Sequence, residues 1–184
     1  MTNELMNRFL TARRNYIAGQ FSNLNPMQQQ AALTTEGPLL LLAGAGSGKT
    51  TVLCNRIANM MRFGNAFNDE TVRDLTPEDE QFLYEFPAME KTPENAERLA
   101  QIVAVQPVNP WNILAITFTN KAAREIRDRL MRTLDDEEAS SAVWAGTFHS
   151  VCLRILRKYG DRIGYREGFS VYDTDDSKRV VKNV

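Results

Sequence analysis

A short apolar run that breaks into glycines, "LLLLAGAGSGKTTVL" at residues 39–53, constrains this chain more than any other stretch. The four leucines are too few for a helix and predict a buried parallel strand. Glycines in the loop after them allow positive φ, so that backbone amides converge on an anion. Apolar residues then recur with helical spacing up to a closing Gly64. Strand, loop and helix in this order predict a phosphate site at a helix N-terminus.

Two side chains of this loop favour a nucleoside triphosphate as the ligand. Lys49 supplies positive charge for the outer phosphates, and Thr50 supplies a hydroxyl for the Mg²⁺ that bridges them, so both are predicted to be catalytic. The pattern departs from the strict P-loop at Ala43, where a small side chain still fits. The alternative interpretation is a glycine-rich turn that carries a lysine by chance.

Composition limits the other possibilities. A chain of 184 residues, 43% of them hydrophobic, is long enough for one α/β domain with a core and too short for two large ones. No apolar run reaches membrane-spanning length, and the N-terminal segment carries charges where a signal peptide is apolar, which predicts a cytoplasmic protein without a membrane partner. Cys54 and Cys152 lack metal-ligand spacing and are expected to be buried, reduced thiols.

The net charge of −1 hides an uneven distribution. Residues 65–110 hold ten acidic and three basic residues, whereas the rest of the chain holds 13 acidic and 19 basic ones. Thr76-Pro77 and Thr92-Pro93 are typical N-terminal ends of helices, so two short helices are predicted here. We therefore predict an acidic helical insertion at 65–110 in a basic domain. Its acidic surface is either solvated or contacts a partner protein.

Two later segments repeat the order of strand, polar residues and helix. Residues 113–116 and 142–146 are predicted to be buried strands, each followed by an amphipathic helix. Each strand runs into Thr-Phe and further polar residues, at the edge where parallel sheets bind ligands. One such phenylalanine is explained as a cap on the core, but two on one edge favour single-stranded nucleic acid, whose bases stack on aromatic rings. The predicted DNA-binding residues are Thr117, Phe118, Thr119, Asn120, Thr147, Phe148 and His149.

Four motifs in this order resemble the opening motifs of the UvrD/PcrA/Rep-type DNA helicases of superfamily one: "LNPMQQQAA", "AGAGSGKT", "TFTNKAAREI" and "GTFHS". The resemblance covers residues 24 to about 176 and is interrupted by the insertion. It implies an α/β P-loop NTPase of the RecA-like type, with helices flanking a parallel sheet. An N-terminal helix at 1–23 would precede an incomplete first RecA-like domain at 24–64 and 111–184.

The same resemblance implies roles for particular residues. Gln28 would read the adenine edge, a role that suits an amide with one donor and one acceptor, while Thr51 stands where close relatives often carry arginine. The strand-end motifs would line a track for single-stranded DNA, along which ATP drives movement, 3′ to 5′ by resemblance alone. The implied ATP-binding residues are Gln28, Ala43, Gly44, Ala45, Gly46, Ser47, Gly48, Lys49, Thr50 and Thr51, with Thr50 also binding Mg²⁺.

The resemblance also implies parts that this sequence does not supply. The family's Asp-Glu pair for hydrolysis and its arginine fingers are not found, because Asp173–Asp176 is typical of a helix N-cap with acids in the first turn and not of a Walker B site. We therefore expect the N-terminal piece of a larger motor, which binds ATP without efficient hydrolysis. Its expected partners are the remaining helicase domains of the same chain and repair or replication proteins. The alternatives are the motor of a recombination helicase-nuclease and a P-loop phosphotransferase.

Overall fold

The computed structural model of the chain describes residues 3–72, 76–166, 168–172 and 174–182. Within them, two strands, β1 and β2, form a parallel pair in register, with Leu114 opposite Trp144 and Thr117 opposite Thr147. This mixed arrangement of helices around parallel strands is the predicted α/β class. The elements are α1 (Asn3–Gly19), α2 (Pro26–Leu33), α3 (Lys49–Phe63), α4 (Pro77–Glu85), α5 (Pro93–Val103), β1 (Leu114–Thr117), α6 (Asn120–Leu134), α7 (Glu137–Ala142), β2 (Trp144–Thr147), α8 (Phe148–Tyr159) and α9 (Thr174–Lys182).

The helix α6 connects the two parallel strands and covers one side of them. Its residues Ala123, Ile126 and Leu130 are buried, as their spacing of three and four residues requires for one helix face. The strand predicted at residues 113–116 was expected to be buried, and it is only partly so. Ala115 is buried, but Leu114 and Ile116 are 49% and 36% exposed, because the described residues cover only one side of β1.

The leucine run at residues 39–42 is not a strand, which contradicts the prediction. Leu40 and Leu42 are 79% and 87% exposed. A strand exists only where a neighbour accepts and donates its backbone hydrogen bonds. Among the described residues, β1 and β2 pair with each other alone, and no strand lies against the leucines.

The second strand begins later than predicted, at Trp144, because a helix occupies the residues before it. The backbone turns at Asp135, which has a φ of +54°. The Asp136 carboxylate then accepts a hydrogen bond from the Ala139 backbone N–H at 2.9 Å and caps α7. Sequence periodicity missed α7 because six residues are too few to show a helical repeat.

The acidic segment leaves the rest of the chain and returns to it at one place. Gly64 ends α3 with a φ of +61°, and a Cβ atom there would lie 2.0 Å from the Val105 carbonyl oxygen, so only glycine fits. The Asn65 N–H donates to that carbonyl at 2.9 Å, and the Val105 N–H donates to the Phe63 carbonyl at 3.1 Å. Residues 65–104 therefore form an excursion whose two ends lie side by side.

This excursion contains the two predicted helices, α4 and α5, with Thr76 and Thr92 directly before them as predicted. The Asp79 carboxylate accepts hydrogen bonds from the backbone N–H and the hydroxyl of Thr76, at 3.0 and 2.9 Å. The Thr92 hydroxyl accepts from the Asn95 N–H at 3.2 Å. Local capping thus fixes where both helices begin.

Three arginines of α1 hold the excursion against the N-terminal helix. Arg8 donates two hydrogen bonds to the Glu80 carboxylate, at 3.0 and 2.5 Å. Arg13 is buried and donates to the backbone carbonyls of Asp69 and Thr71, while Arg14 donates to that of Phe67. Burial lowers the pKa of Arg13 from its ordinary value.

Two hydrophobic clusters make up the core, and α3 contributes to both. The first joins α1, α2 and the excursion through residues such as Phe21, Phe63 and Leu83. The second places Cys54 and Ile57 of α3 against β1 and α6. The helix that follows the glycine loop is therefore packed from both sides. No helix in the described ranges is both long and apolar enough to cross a membrane.

The two cysteines differ, which corrects one expectation. Cys54 is buried, as predicted, and burial raises the pKa of its thiol to about 11. Cys152 is exposed, because α8 buries only Val151.

Candidate functional site

The glycine loop forms the turn that leads into α3. Gly46 and Gly48 have φ of +75° and +84°, a region that favours glycine, whereas Gly44 does not use positive φ. The Ser47 hydroxyl donates to the Gly44 carbonyl at 2.8 Å and closes the loop on itself. Gly48 is the N-cap of α3, so the first-turn N–H groups and the helix dipole face the loop.

The Lys49 ammonium lies over this loop. It donates hydrogen bonds to the carbonyl oxygens of Ala43 and Gly44, at 2.8 and 2.6 Å. Lys49 is exposed, and Thr50 follows it in the first turn of α3. A cation, a helix N-terminus and two glycines with positive φ thus lie together in one turn. This arrangement can bind a polyanionic phosphate group.

Gln28 reaches the same loop from α2. Its Nε2 donates to the Ser47 carbonyl at 3.0 Å, and its Oε1 accepts from the Asn25 backbone N–H at 3.1 Å. The Asn25 side chain in turn accepts from the Gln28 N–H at 2.9 Å. The structure therefore brings Gln28 together with the predicted phosphate loop, although Gln28 and Ser47 are 19 positions apart in the sequence.

Arg129 of α6 is a neighbour of the loop that the sequence did not indicate. Its guanidinium donates to the Thr51 hydroxyl and, at 3.1 Å, to the Glu125 carboxylate. The pair with Glu125 is an i, i+4 contact within α6. The contact with Thr51 crosses 78 positions, so no local pattern could reveal it. It places a guanidinium directly beside Thr51.

The two strand ends meet as predicted. Since Thr117 pairs with Thr147 in register, the next residues, Phe118 and Phe148, lie side by side with ring centroids 5.6 Å apart. Phe118 is 88% exposed and Phe148 48% exposed. Neither ring is a cap on the core. Two adjacent exposed rings form a surface on which planar bases can stack.

The polar residues of these motifs divide into two groups. The hydroxyls of Thr119 and Thr147 cap α6 and α8, accepting from the N–H groups of Ala122 and Ser150 at 3.1 and 3.2 Å. Thr147 is also buried. Asn120 and His149 are exposed beside the two rings and Thr117 is half-buried. The exposed residues and the rings are therefore the ones that a ligand reaches first.

The acidic residues near position 175 belong to a helix. Asp175 and Asp176 lie in the first turn of α9. The Asp175 carboxylate is 3.5 Å from the Lys178 ammonium, and the Asp176 carboxylate is 4.0 Å from the Arg179 guanidinium. Asp173, the predicted N-cap, lies outside the described residues. In the part of the chain that the structure describes, no group of three His, Cys, Asp or Glu residues has the geometry to hold a metal ion.

Comparison with known proteins identifies the family. The profile described as UvrD/REP helicase N-terminal domain matches residues 24–72 and 91–184, and the chain belongs to this family. It is 43% identical over 171 residues to the ATP-dependent DNA helicase PcrA of Bacillus subtilis (strain 168), covering 92% of this chain and 17% of that protein. It is 39% identical over 163 residues to the ATP-dependent DNA helicase PcrA of Staphylococcus aureus (strain Mu50), covering 89% and 16%. The chain thus spans about a sixth of the length of these relatives.

The family match is interrupted inside the acidic segment. Residues 73–90, which include α4, lie outside the profile, whereas α5 lies within it. The profile therefore leaves out the α4 region, which Arg8 of α1 contacts through Glu80.

Proposed function

We propose that this chain is the N-terminal, RecA-like ATP-binding part of an ATP-dependent DNA helicase that moves on single-stranded DNA. One observation carries the proposal: Phe118 and Phe148 form an exposed aromatic pair at the ends of two parallel strands. The same chain holds a lysine-bearing glycine loop that suits a triphosphate. Family membership supports combining these two features in one motor.

ATP and Mg²⁺ fit the loop as it is built. The positive φ of Gly46 and Gly48 opens the backbone for phosphate oxygens, and the Lys49 ammonium lies within reach of the loop carbonyls. Thr50 would contribute its hydroxyl to Mg²⁺, and Gln28 would contact adenine. Bound Mg²⁺ would offset the charge of the outer phosphates. Lys49 would provide further positive charge on this side of the nucleotide.

Single-stranded DNA would stack on the aromatic pair. Exposed rings contribute about 1 to 3 kcal/mol per stacked base, without strong preference for sequence. Asn120 and His149 would donate hydrogen bonds to the same strand. Thr119 and Thr147 would act by holding the first turns of α6 and α8, whose N-termini favour phosphate nearby.

The whole motor needs more than this chain. Since the chain spans about a sixth of its relatives, we place the hydrolytic Asp-Glu pair on a later strand and the arginine fingers elsewhere in the same protein. The chain alone would bind ATP without efficient turnover. Travel from 3′ to 5′ and work with repair or replication proteins follow the family. A small-molecule phosphotransferase would leave the two exposed phenylalanines without a role.

The test is binding and turnover of MgATP by this chain, with and without a single-stranded oligonucleotide. Binding is expected in both conditions without turnover. Lys49→Ala should weaken binding at least tenfold, because a charge-assisted hydrogen bond contributes about 1.5 to 3 kcal/mol. Lys91→Ala, which removes an exposed lysine from the excursion, is the matched control. Equal affinity of Lys49→Ala and the unmodified chain would refute the proposed site.

A further inference from the structure

We propose that Asn25 is a positioning residue that fixes the orientation of the Gln28 amide and thereby makes the site select adenine over guanine. The proposal rests on the ATP site described above and adds a determinant of base selectivity. It concerns the N-terminal turn of α2, which lies against the glycine loop.

The first step is the reciprocal cap at the start of α2. The Asn25 backbone is extended, and its side-chain oxygen accepts from the Gln28 N–H at 2.9 Å. This bond holds the Asn25 backbone N–H toward the Gln28 side chain, where it donates to Oε1 at 3.1 Å. The amide oxygen therefore has a fixed donor.

The second step is the contact between the same amide and the glycine loop. Gln28 Nε2 donates to the Ser47 carbonyl at 3.0 Å, so the amide nitrogen has a fixed acceptor. A Cβ atom at position 48 would lie 2.7 Å from this nitrogen, which shows how closely the amide packs against the loop. Exchanging oxygen and nitrogen would set two donors against each other at Asn25 and two acceptors at Ser47.

The third step follows from what remains free on the amide. Oε1 can accept one more hydrogen bond, and Nε2 can donate one more. Adenine presents the matching pair, the N6 amino donor beside the N7 acceptor, whereas guanine presents two acceptors, O6 and N7. An amide that cannot turn over or rotate sets an oxygen against guanine O6. An amide free to swing can turn its oxygen away from the base and donate from Nε2 alone, so it avoids this repulsion and loses selectivity.

The experiment compares dissociation constants of MgATP and MgGTP for the chain and four variants. Asn25→Ala removes the cap, and Asn25→Gly removes it with little cost to the helix. Both are expected to reduce the GTP-to-ATP ratio of dissociation constants about tenfold. Asn25→Ser keeps a capping oxygen and should restore the ratio. Thr92→Ala, which removes the cap of α5, should leave the ratio unchanged.

The outcomes separate this inference from the proposed function. If the unmodified chain binds MgATP and Asn25→Gly keeps its full preference for ATP, the positioning role is wrong and the ATP site stands. A change of equal size in Thr92→Ala would also overturn it, because general loosening would then explain the result. If the unmodified chain binds neither nucleotide, the proposed ATP site and the positioning role both fail.

Discussion

Phenylalanine side chains are mostly buried in one half of this molecule and exposed at the strand ends of the other. In the half formed by α1, the turn before α2 and the excursion, Phe9, Phe21, Phe82 and Phe86 are buried, and Phe21, for example, is 2% exposed. At the strand ends, Phe118 is 88% exposed. The same side chain thus serves as core in one half and as surface in the other.

The difference has a physical origin in how helices and strands satisfy their backbones. A helix pairs its own N–H and C=O groups, so α1, α4 and α5 can bury their apolar faces against one another. Tyr16, for example, packs edge-on against Phe63 and Phe86, with centroids 6.1 and 5.9 Å apart. A strand needs neighbours, and two strands alone leave edges and faces open. The half with helices is closed, whereas the half with strands is open for contact.

The largest expected effect tests the closed half. Phe21→Ala should lower the free energy of unfolding by about 3 to 5 kcal/mol, because it removes a buried ring and leaves a cavity. Urea denaturation followed by circular dichroism measures this change. Phe118→Ala is the matched control and should change stability by less than about 0.5 kcal/mol. Similar losses in both variants would break the distinction between the halves.

The second prediction tests the open half. Phe118→Ala should weaken binding of a single-stranded oligothymidylate by about 1 to 3 kcal/mol, because one stacking surface is lost. Phe118→Tyr should keep most of the affinity. Fluorescence anisotropy of a labelled oligonucleotide measures both variants, and MgATP binding should stay unchanged. If DNA affinity were the same in Phe118→Ala as in the unmodified chain, the exposed pair would have another role.

The sequence was most informative where structure is local. Caps at Thr76 and Thr92 and the helices α3 and α6 all depend on residues within a few positions of one another, and the structure has them. The apolar face of α6 buries Ala123 where Ala122 was expected. The repeated Thr-Phe also predicted that the two rings lie at one edge, because parallel strands in register bring equivalent ends together.

The sequence failed where the outcome depends on distant neighbours. The leucine run reads as a strand, but pairing requires a partner strand that the described residues do not provide. The Arg129–Thr51 bond and the arginine contacts of α1 cross more than 50 positions, so no spacing could predict them. In the site, the glycine loop could be predicted from the sequence. The orientation of the Gln28 amide could not, because it depends on a contact with Ser47, 19 positions away.

The smallest predicted effect concerns Asp79, at the start of α4 in the closed half. Burial raises the pKa of this carboxyl, but hydrogen bonds from the Thr76 N–H and hydroxyl and from the Arg98 guanidinium outweigh burial, so the net pKa is below its ordinary value. A lowered pKa in the folded state means that the ionised form stabilises the fold. This contribution is complete above the ordinary pKa and is lost as pH falls through the lowered value.

Asp79→Asn isolates that charge, since an amide oxygen can still accept from the Thr76 N–H. We expect the variant to be less stable than the unmodified chain by about 0.5 to 1 kcal/mol at pH 7, a size typical of an exposed cap or ion pair. The difference should shrink toward zero in strong acid, below the lowered pKa of Asp79, where both proteins are uncharged at this position. Glu94→Gln, which neutralises an exposed acid in the first turn of α5, should show a smaller change. A difference for Asp79→Asn that stays constant across this pH range would mean that the bonds from Thr76 and Arg98 do not depend on ionisation. The charge of Asp79 would then contribute nothing to the closed half, which would rest on its apolar core and on the arginines of α1.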